Sequence, residues 1–251
     1  MDLGLNGKVA VVTGASAGIG RTIALGLAAE GVSLAICARR EGPLRDAEAS
    51  LRAKGVDVYA ALCDVGDTSA LDEFMEAAKR RFAHIDILIN NASGFGLTDD
   101  EAAWSASLNI DVLASVRAAR KVIPWMTAAG GGNIQFISSI SGLEAGSPPA
   151  YAAAKAAIIS FSKTLAVSLA PKRIRVNSIA PGSIEFDGGL WANARINSRP
   201  RYDSILKSIP WGRLGTPEEV ADVAVFLASE RARWVTGECI RVDGGQHKGN
   251  L

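Results

Sequence analysis

The feature that most constrains the fold is a regular alternation of short apolar runs with segments of helical periodicity. The first run, 9–13, leads into a helical pattern that ends near Gly31, and a second run at 33–37 leads into another. Further strands are predicted at 57–62, 85–90, 133–138, 174–180 and 238–242, and further helices at about 42–54, 68–82, 101–129, 150–169 and 217–228. Apolar strands that alternate with helices are typical of a parallel sheet covered on both faces. We therefore predict a single α/β domain, 1–251, with a three-layer, doubly wound parallel sheet of about seven strands.

The composition excludes several classes of partner. Hydrophobic residues make up 48% of the 251 residues and the formal net charge is +1, so no electrostatic footprint for nucleic acid or a membrane surface is present. No signal-peptide pattern is visible, and we expect no membrane span. Cys37, Cys63 and Cys239 are far apart, in or beside apolar runs, which indicates buried thiols in a reducing compartment rather than a metal site. We expect a cytoplasmic protein without a bound metal.

One segment, 183–213, interrupts the alternation. It combines glycines, prolines and charges with Trp191, Tyr202 and Trp211 between two regular elements. Long insertions in compact domains are usually functional or disordered, and the aromatic content argues against disorder. We predict a substrate lid beside the active site, with a plain surface excursion as the alternative.

A glycine-rich turn joins the first predicted strand to the first helix. In Gly14-Ala-Ser16-Ala-Gly18-Ile19-Gly20, Gly14 allows a tight turn, Gly18 a close approach of backbone to phosphate, and Gly20 close packing of helix on sheet. The N-terminus of the following helix offers free N–H groups and partial positive charge. This arrangement predicts a site for the pyrophosphate of a dinucleotide.

Tyr151 and Lys155 form the candidate chemical centre. At i and i+4 of a helix, the phenol and the ammonium lie on one face, one turn apart. A positive charge about 4 Å away favours an ionised phenol by roughly 4 kcal/mol at an effective dielectric near 20, which makes a tyrosine a usable acid or base near neutrality. The same spacing also fits an ordinary exposed helix face, so it needs support from the rest of the chain.

That support comes from a set of short motifs in a fixed order. Together they resemble the short-chain dehydrogenase/reductase family over essentially the whole chain, including members that reduce 3-oxoacyl thioesters and other carbonyl compounds. The resemblance implies a Rossmann-like fold, a nicotinamide cofactor and hydride transfer. The motifs are Thr13–Gly20, Asp64-Val65, Asn90-Asn91-Ala92, Ser138-Ser139, Tyr151-x-x-x-Lys155 and Pro181-Gly182, with the familiar tail from Val235 to Gly245.

The resemblance assigns catalytic roles. Tyr151 is implied as the general acid/base, and Lys155 as the residue that favours its ionisation and contacts the nicotinamide ribose. The family serine is the second of its pair and is followed by x-x-Gly, which favours Ser139 over Ser138. Asn109 aligns with an asparagine that organises a water chain to the lysine, although it could be an ordinary polar helix residue.

The end of the second strand indicates which nicotinamide cofactor is favoured. An acidic residue there would bind the ribose 2′-hydroxyl of NAD, but the sequence is Cys37-Ala38-Arg39-Arg40. A guanidinium can pair with a 2′-phosphate, so we predict NADP(H) over NAD(H), with Arg39 as the main contact and Arg40 as a possible second.

The family implies further contacts along the cofactor. Asp64 and Val65 are assigned to the adenine, Asn91 and Ala92 line the cofactor, and Pro181, Gly182 and Ile184 lie near the carboxamide. Two positions depart from the family pattern: Ser93 stands where glycine is usual, and Phe186 where threonine is frequent.

The sequence therefore predicts an NADP(H)-dependent oxidoreductase that acts on a small-molecule ketone or secondary alcohol. One alternative is a 3-oxoacyl thioester reductase, for which Arg195, Arg199 and Arg201 could contact an acidic carrier protein. The other is a non-catalytic NADP-binding regulator, which would be expected to lack the complete Ser/Tyr/Lys set. Apolar residues on more than one face of the helices 101–129 and 150–169 indicate subunit contacts. By resemblance we expect a homotetramer.

Overall fold

The predicted sheet is present in a computed structural model that describes residues 2–250. Seven parallel strands form one sheet in the order β3-β2-β1-β4-β5-β6-β7. The strands are β1 (Val9–Thr13), β2 (Ser33–Ala38), β3 (Val58–Leu62), β4 (Ile87–Asn90), β5 (Gly132–Ile137), β6 (Ile174–Pro181) and β7 (Cys239–Val242). The chain belongs to the Rossmann-like α/β class, as the sequence predicted.

Nine α-helices connect or flank these strands in the described part of the chain. They are α1 (Gly18–Ala29), α2 (Glu41–Arg52), α3 (Thr68–Phe82), α4 (Glu101–Ala106), α5 (Ser115–Ala128), α6 (Pro149–Leu169), α7 (Leu190–Asn197), α8 (Arg199–Ser208) and α9 (Pro217–Ala228). Short 3₁₀ turns lie at Ile140–Gly142, Ala170–Lys172 and Glu230–Ala232.

Successive residues of the strands point alternately into two hydrophobic cores, one on each face of the sheet. Val12 and Ile36 pack with α1, α2 and α9, whereas Val11 and Phe136 pack with α3, α5 and α6. Both cores consist of fully buried side chains, which is why the strands read as continuous apolar runs. The result is the predicted three-layer arrangement.

The strand order reverses between β1 and β4. From β1 the chain proceeds outward to β2 and β3, and it then returns to place β4 on the other side of β1. Loops that follow neighbouring strands on either side of such a reversal leave a crevice at the carboxyl ends of the strands, where α/β proteins bind ligands. The glycine turn after β1 and the loop after β4 both open into this crevice.

The predicted long helix 101–129 contains a change of winding. α4 runs into a π-helical segment, Ser107–Ala114, which continues without a break into α5. A π-helical turn shifts which side chains face the neighbouring elements, and such segments are frequent at functional sites. This winding decides which residue of the segment reaches Lys155.

The interrupting segment 183–213 folds as two short helices, α7 and α8, that the sequence did not predict. They enclose a small apolar core of their own, formed by Ala194, Tyr202, Ile209 and Leu214. Arg199 and Pro200 open α8, and a proline in the first turn of a helix is compatible with helix geometry.

The structure bears on two expectations about apolar segments. The span Pro149–Lys172 is long and apolar enough, by length and composition alone, to cross a membrane, with a mean hydropathy of 1.3. It packs against β5 and β6 and contributes residues to the cleft described below, so we read it as a helix of the fold. Cys37 and Cys63 are buried free thiols, but Cys239 is only partly buried because β7 is an edge strand.

Candidate active site

The crevice at the carboxyl ends of the strands forms a cavity of about 1130 Å³. It collects most of the site residues that the sequence predicted, together with side chains from the 183–213 segment. The predicted residues that line it are Gly14, Ser16, Ile19, Gly20, Arg39, Arg40, Asp64, Val65, Asn91, Ala92, Ser139, Tyr151, Lys155, Pro181, Gly182 and Ile184. Gly18 and Asn109 are the two that do not.

The glycine turn is braced by Asn91. Its backbone N–H donates to Thr13 Oγ1 at 3.0 Å, and its Nδ2 donates to the carbonyl oxygens of Thr13 and Gly14 at 3.0 and 3.1 Å. A Cβ on Gly20 would lie 2.2 Å from Asn91 Nδ2, so only glycine fits there. Asn91 therefore shapes the turn as well as lining the cleft.

The N-terminus of α1 is well suited to an anion. No side chain caps it, and its first turn has no acidic residue, so its free N–H groups retain their partial positive charge. Gly18 has a φ of +53°, and the ring of Phe186 packs against it, with Cζ 2.6 Å from the position of a Cβ. Gly18 thus makes room for Phe186 in this structure, a contact that the sequence did not predict.

Arg39 and Arg40 follow β2 at one end of the cleft. Both side chains are exposed, and within residues 2–250 neither has a hydrogen-bond or ion-pair partner. No carboxylate stands at the end of β2 to repel a phosphate. Cys37 and Cys63 lie side by side near this end of the cleft, and the hydrogen bond that the Cys37 thiol donates to Cys63, together with burial, raises the pKa of the Cys37 thiol.

Tyr151 and Lys155 lie on one face of α6, as the i, i+4 spacing predicted. Lys155 Nζ is 5.4 Å from the centroid of the Tyr151 ring, and it donates a hydrogen bond to the Ile137 carbonyl oxygen at 2.9 Å. Burial is the largest single influence on the pKa of Lys155 and lowers it, but the negative charges of Asp111 and ionised Tyr151 raise it by more. The pKa is therefore raised, and Lys155 is an ammonium.

The two candidate serines have different environments. Ser138 is buried and its hydroxyl donates to the Lys155 carbonyl oxygen at 2.9 Å, which ties β5 to α6. Ser139 Oγ accepts the Ser141 N–H at 3.1 Å, and its own proton has no acceptor within residues 2–250. The Ser139 hydroxyl is thus free to donate to a bound oxygen, whereas the Ser138 hydroxyl is already engaged.

The structure does not place Asn109 near Lys155. Its Nδ2 donates to the Gly66 carbonyl oxygen at 3.0 Å, and its Oδ1 accepts from Arg117 at 3.2 Å, so it braces the loop after Asp64 and Val65. The residue that reaches Lys155 is Asp111, with Oδ1 2.8 Å from Nζ. Asp111, rather than the Asn109 that the sequence predicted, is thus the residue of the π-helical segment that pairs with Lys155.

A physical signal for Asp111 was present in the sequence. Asp111 is the one carboxylate of the 107–114 segment, between Ile110 and Val112, and Lys155 lies among alanines in an equally apolar helix. An isolated charge in a buried helix face needs an opposite charge, because burial without one is very unfavourable. Pairing the two would have identified the contact.

Aromatic and apolar side chains form the wall of the cleft beside Tyr151. The Phe95 ring stacks on the Tyr151 ring with centroids 5.9 Å apart and planes 10° from parallel. Phe95 adopts a φ of +47°, which is strained for an aromatic residue. Leu190 and Trp191 of α7 also line the cleft, and Arg201 of α8 lies over the Trp191 ring at 5.5 Å.

The chain is similar to known proteins over most of its length. A protein-family model described as enoyl-(acyl carrier protein) reductase matches residues 14–247. Human dehydrogenase/reductase SDR family member 4 is 36% identical over 250 residues, covering 96% of this chain and 88% of that protein. The 3-oxoacyl-[acyl-carrier-protein] reductase FabG of Escherichia coli K12 is 36% identical over 253 residues. The match covers 98% of this chain and 99% of that protein.

Solved structures agree with the sequence comparison. L-sorbose reductase from Gluconobacter frateurii, complexed with NADPH and L-sorbose, superposes with a TM-score of 0.92 at 37% identity, covering 99% of this chain and 100% of that one. A 7α-hydroxysteroid dehydrogenase complexed with NADH and 7-oxo glycochenodeoxycholic acid has a TM-score of 0.91 at 32% identity, covering 97% and 96%. The chain belongs to the short-chain dehydrogenase/reductase family of oxidoreductases.

Proposed function

We propose that this protein is an NADP(H)-dependent carbonyl reductase or alcohol dehydrogenase with Tyr151 as its general acid/base. The observation that carries the proposal is convergence on one cleft. Tyr151, Lys155 and the free hydroxyl of Ser139 line the same cavity as the glycine turn and Arg39. The uncapped N-terminus of α1 and the two unpaired arginines after β2 fit a dinucleotide phosphate chain.

The mechanism assigns one role to each side chain. When bound, the nicotinamide coenzyme supplies or accepts the hydride. In the direction of reduction, Ser139 donates a hydrogen bond to the substrate carbonyl oxygen, and Tyr151 transfers its phenolic proton to that oxygen as negative charge develops there. Lys155 keeps a positive charge beside Tyr151 and so stabilises the phenolate that remains. In oxidation the same groups act in reverse, and Tyr151 accepts the proton of the alcohol.

Support for NADP(H) comes from the end of β2. Arg39 and Arg40 are exposed and line the cleft, and neither side chain has an ion-pair partner within residues 2–250. A planar guanidinium can bind a phosphate through two parallel hydrogen bonds. We therefore infer that Arg39, assisted by Arg40, discriminates for a 2′-phosphate.

The substrate side of the cleft favours an apolar or cyclic ketone. Phe95, Leu190 and Trp191 present apolar surface beside Tyr151. We infer that the 183–213 segment acts as a lid over this substrate.

The 3-oxoacyl thioester alternative draws on the similarity to FabG and on Arg201, which lines the cleft. Arg195 and Arg199 support it less, because they pair with Glu185 and Asp203. The non-catalytic regulator is disfavoured because the Ser/Tyr/Lys set is complete.

The test is NADPH oxidation against acyclic, cyclic and aromatic ketones, β-keto esters and a 3-oxoacyl thioester. Tyr151→Phe removes the proton donor and should abolish turnover while leaving the Kd for NADPH unchanged. Tyr59→Phe is the matched control, because Tyr59 packs against Phe74 away from the cleft. Preference for the thioester would favour the alternative, and NADPH binding without turnover on any substrate would favour the regulator.

We also propose a cytoplasmic homotetramer. Free thiols at all three cysteines fit a reducing compartment. Leu113 and Val167 expose 46% and 70% of their surface, and Trp234 exposes 96%, which is unusual for side chains without a partner surface. One chain has a mass of 26.2 kDa. Light scattering coupled to size-exclusion chromatography should therefore give a mass four times as large. A monomer at micromolar concentration would contradict the assembly.

A further inference from the structure

The C-terminal segment 243–248 forms part of the cleft wall. Asp243 Oδ2 accepts the backbone N–H of His247 at 2.9 Å, which folds the segment back on itself. Gln246 lines the cavity, and its Oε1 accepts the Ser183 N–H at 2.9 Å while its Nε2 donates to the Ser183 hydroxyl at 3.1 Å. These bonds hold the segment in a fixed position just after the end of β6.

Within this segment, His247 is paired with a glutamate of the cleft. Its Nδ1 lies 2.8 Å from Glu144 Oε2, and only 4% of the His247 side chain is exposed. A carboxylate accepts hydrogen bonds and cannot donate them, so the imidazole donates from Nδ1. The other ring nitrogen, Nε2, is buried without a partner among residues 2–250, and a proton there would have no acceptor. The contact is therefore a hydrogen bond from a neutral imidazole, which leaves the negative charge on Glu144.

Glu144 has one carboxylate oxygen that is not engaged. The residue follows Ser139 by five positions, in the loop between β5 and α6, and it lines the cavity. Oε2 is held by His247, whereas Oε1 has no hydrogen-bond partner in the described part of the chain, and 34% of the side chain is exposed. A charged acceptor that a buried donor holds in place is well suited to accept a strong hydrogen bond from a bound molecule.

The loop that carries Glu144 supplies two further polar groups. Ser141 and Ser147 line the cavity, and the Ser147 hydroxyl donates to Ser141 Oγ at 2.9 Å. The hydroxyl proton of Ser141 has no acceptor among the residues that the structure describes. The apolar lining comes from other segments, the loop after β4 and helix α7. A ligand that matches both kinds of lining has an apolar surface and at least one hydroxyl group.

The charges at this end of the cleft favour a neutral donor. Arg201 and Lys248 line the cavity with Glu144, and neither cation has an ion-pair partner within residues 2–250. A second carboxylate beside Oε1 would be repelled by Glu144, and an ammonium group would be repelled by Arg201 and Lys248. A hydroxyl group can donate to Glu144 without either repulsion.

We propose that Glu144 is a specificity-determining residue that accepts a hydrogen bond from a hydroxyl group of the substrate, and that His247 is the positioning residue that holds its carboxylate. The inference rests on the proposed function and narrows its substrate class to ketones that carry a separate hydroxyl group. Ser139 and Tyr151 bind the carbonyl oxygen, and Glu144 binds the hydroxyl group. The two contacts together orient the substrate in the cleft.

The test compares cyclohexanone with its monohydroxylated derivatives, the hydroxyl group at each ring position in turn, with NADPH as the coenzyme. A site that binds a substrate hydroxyl group discriminates against the analogue that lacks it, so kcat/KM for the best hydroxyketone should exceed that for cyclohexanone by about tenfold or more. Glu144→Ala should bring this ratio close to one, chiefly by raising KM for the hydroxyketone. Glu73→Ala is the matched control, because Glu73 is exposed on α3 outside the cleft, and its ratio should match the wild type.

Two substitutions test the role of His247. His247→Asn keeps a donor close to the position of Nδ1 and should retain most of the wild-type preference. His247→Leu keeps more of the volume but has no donor, and it should lower the preference several-fold. If His247 only filled space, leucine would be tolerated better than asparagine, and that order would overturn the positioning role. His84→Leu is the control, because His84 pairs with Asp86 outside the cleft.

The outcomes separate this inference from the proposed function. A wild type that reduces ketones without preferring a hydroxylated one, or a preference that survives Glu144→Ala, would overturn the inference and leave the proposed function intact. A wild type that reduces no ketone would refute the proposed function itself. Glu144→Gln is nearly isosteric and keeps an acceptor for His247 but loses the charge, so it tests the same point if the alanine variant is unstable. Its preference should fall several-fold, and an unchanged preference would count against the inference.

Discussion

Gly20→Ala tests how tightly the glycine turn is packed. Gly20 has an ordinary helical backbone, so alanine is compatible with its φ and ψ, and only the space around a new Cβ decides the outcome. That Cβ would stand 2.2 Å from Asn91 Nδ2 and 2.5 Å from the Gly14 carbonyl oxygen. Real Cβ atoms do not come so close to other heavy atoms, so Asn91 must move and release its hydrogen bonds to the turn.

The magnitude follows from three contributions. Overpacking a tight site destabilises by about 1–3 kcal/mol. Loss of the two Asn91 Nδ2 hydrogen bonds adds about 1 kcal/mol each, and the better helix propensity of alanine returns about 1 kcal/mol. The net loss is about 2–4 kcal/mol, which corresponds to a fall in Tm of about 4–16 °C for a chain of this length.

The assay is thermal unfolding together with NADPH titration. Gly42→Ala is the matched control, because Gly42 lies in the first turn of α2 with nothing within 4 Å of a Cβ. It should raise Tm by about 1–4 °C and leave NADPH binding unchanged. Gly20→Ala should also weaken NADPH binding at least tenfold. A Gly20→Ala protein with wild-type Tm and wild-type affinity would refute the packing argument and the placement of the phosphate site.

The remaining predictions concern the cofactor, the lid and the pH dependence of stability. Arg39→Asp should lower the ratio of kcat/KM for NADPH to kcat/KM for NADH at least tenfold. Arg52→Asp, on the surface of α2 outside the cleft, should leave this ratio unchanged. An unchanged ratio in Arg39→Asp would mean that another residue contacts the 2′-phosphate. Phe186→Ala should increase the association rate of NADPH in stopped-flow fluorescence several-fold, because the ring packs against Gly18; a slower rate would show that the ring assists binding. The Arg213 hydrogen bond, aided by the Thr216 N–H, lowers the pKa of Glu219 to about 2, so its contribution to stability is present above pH 4.5 and is lost as the pH falls toward 2. Glu219→Gln should therefore flatten the decline of Tm between pH 5 and pH 2, and a decline as steep as in the wild type would contradict the pairing.

The sheet was predictable because its strands carry their own signal. Runs such as Val9–Thr13 are buried on both faces, so they are apolar throughout and are followed by helices of regular period. Tyr151 and Lys155 were equally accessible, since helix geometry alone brings residues four apart together. The position of Arg39 just after β2 was predictable because the same alternation fixes where that strand ends.

Tertiary packing decided what the sequence did not reveal. The π-helical winding of residues 107–114 is not encoded by any local propensity, and it turns Asp111 rather than Asn109 toward Lys155. α7 and α8 are short and polar, and they are stabilised by packing around Tyr202 rather than by periodicity. The Phe186 contact with Gly18 joins residues far apart in the chain, which no pattern in one sequence can indicate.

That contact has a kinetic consequence. Phe186 is joined to α7 by a short turn in which the Gly189 N–H donates to the Phe186 carbonyl oxygen at 2.9 Å, and Leu190 follows directly. If the coenzyme phosphate binds at the glycine turn, as proposed above, it would have to displace the ring from Gly18, and the start of α7 would move with it. The binding surface for the carbonyl compound is then complete only after the ring has moved. We therefore expect a compulsory order of addition, in which the coenzyme binds first and dissociates last.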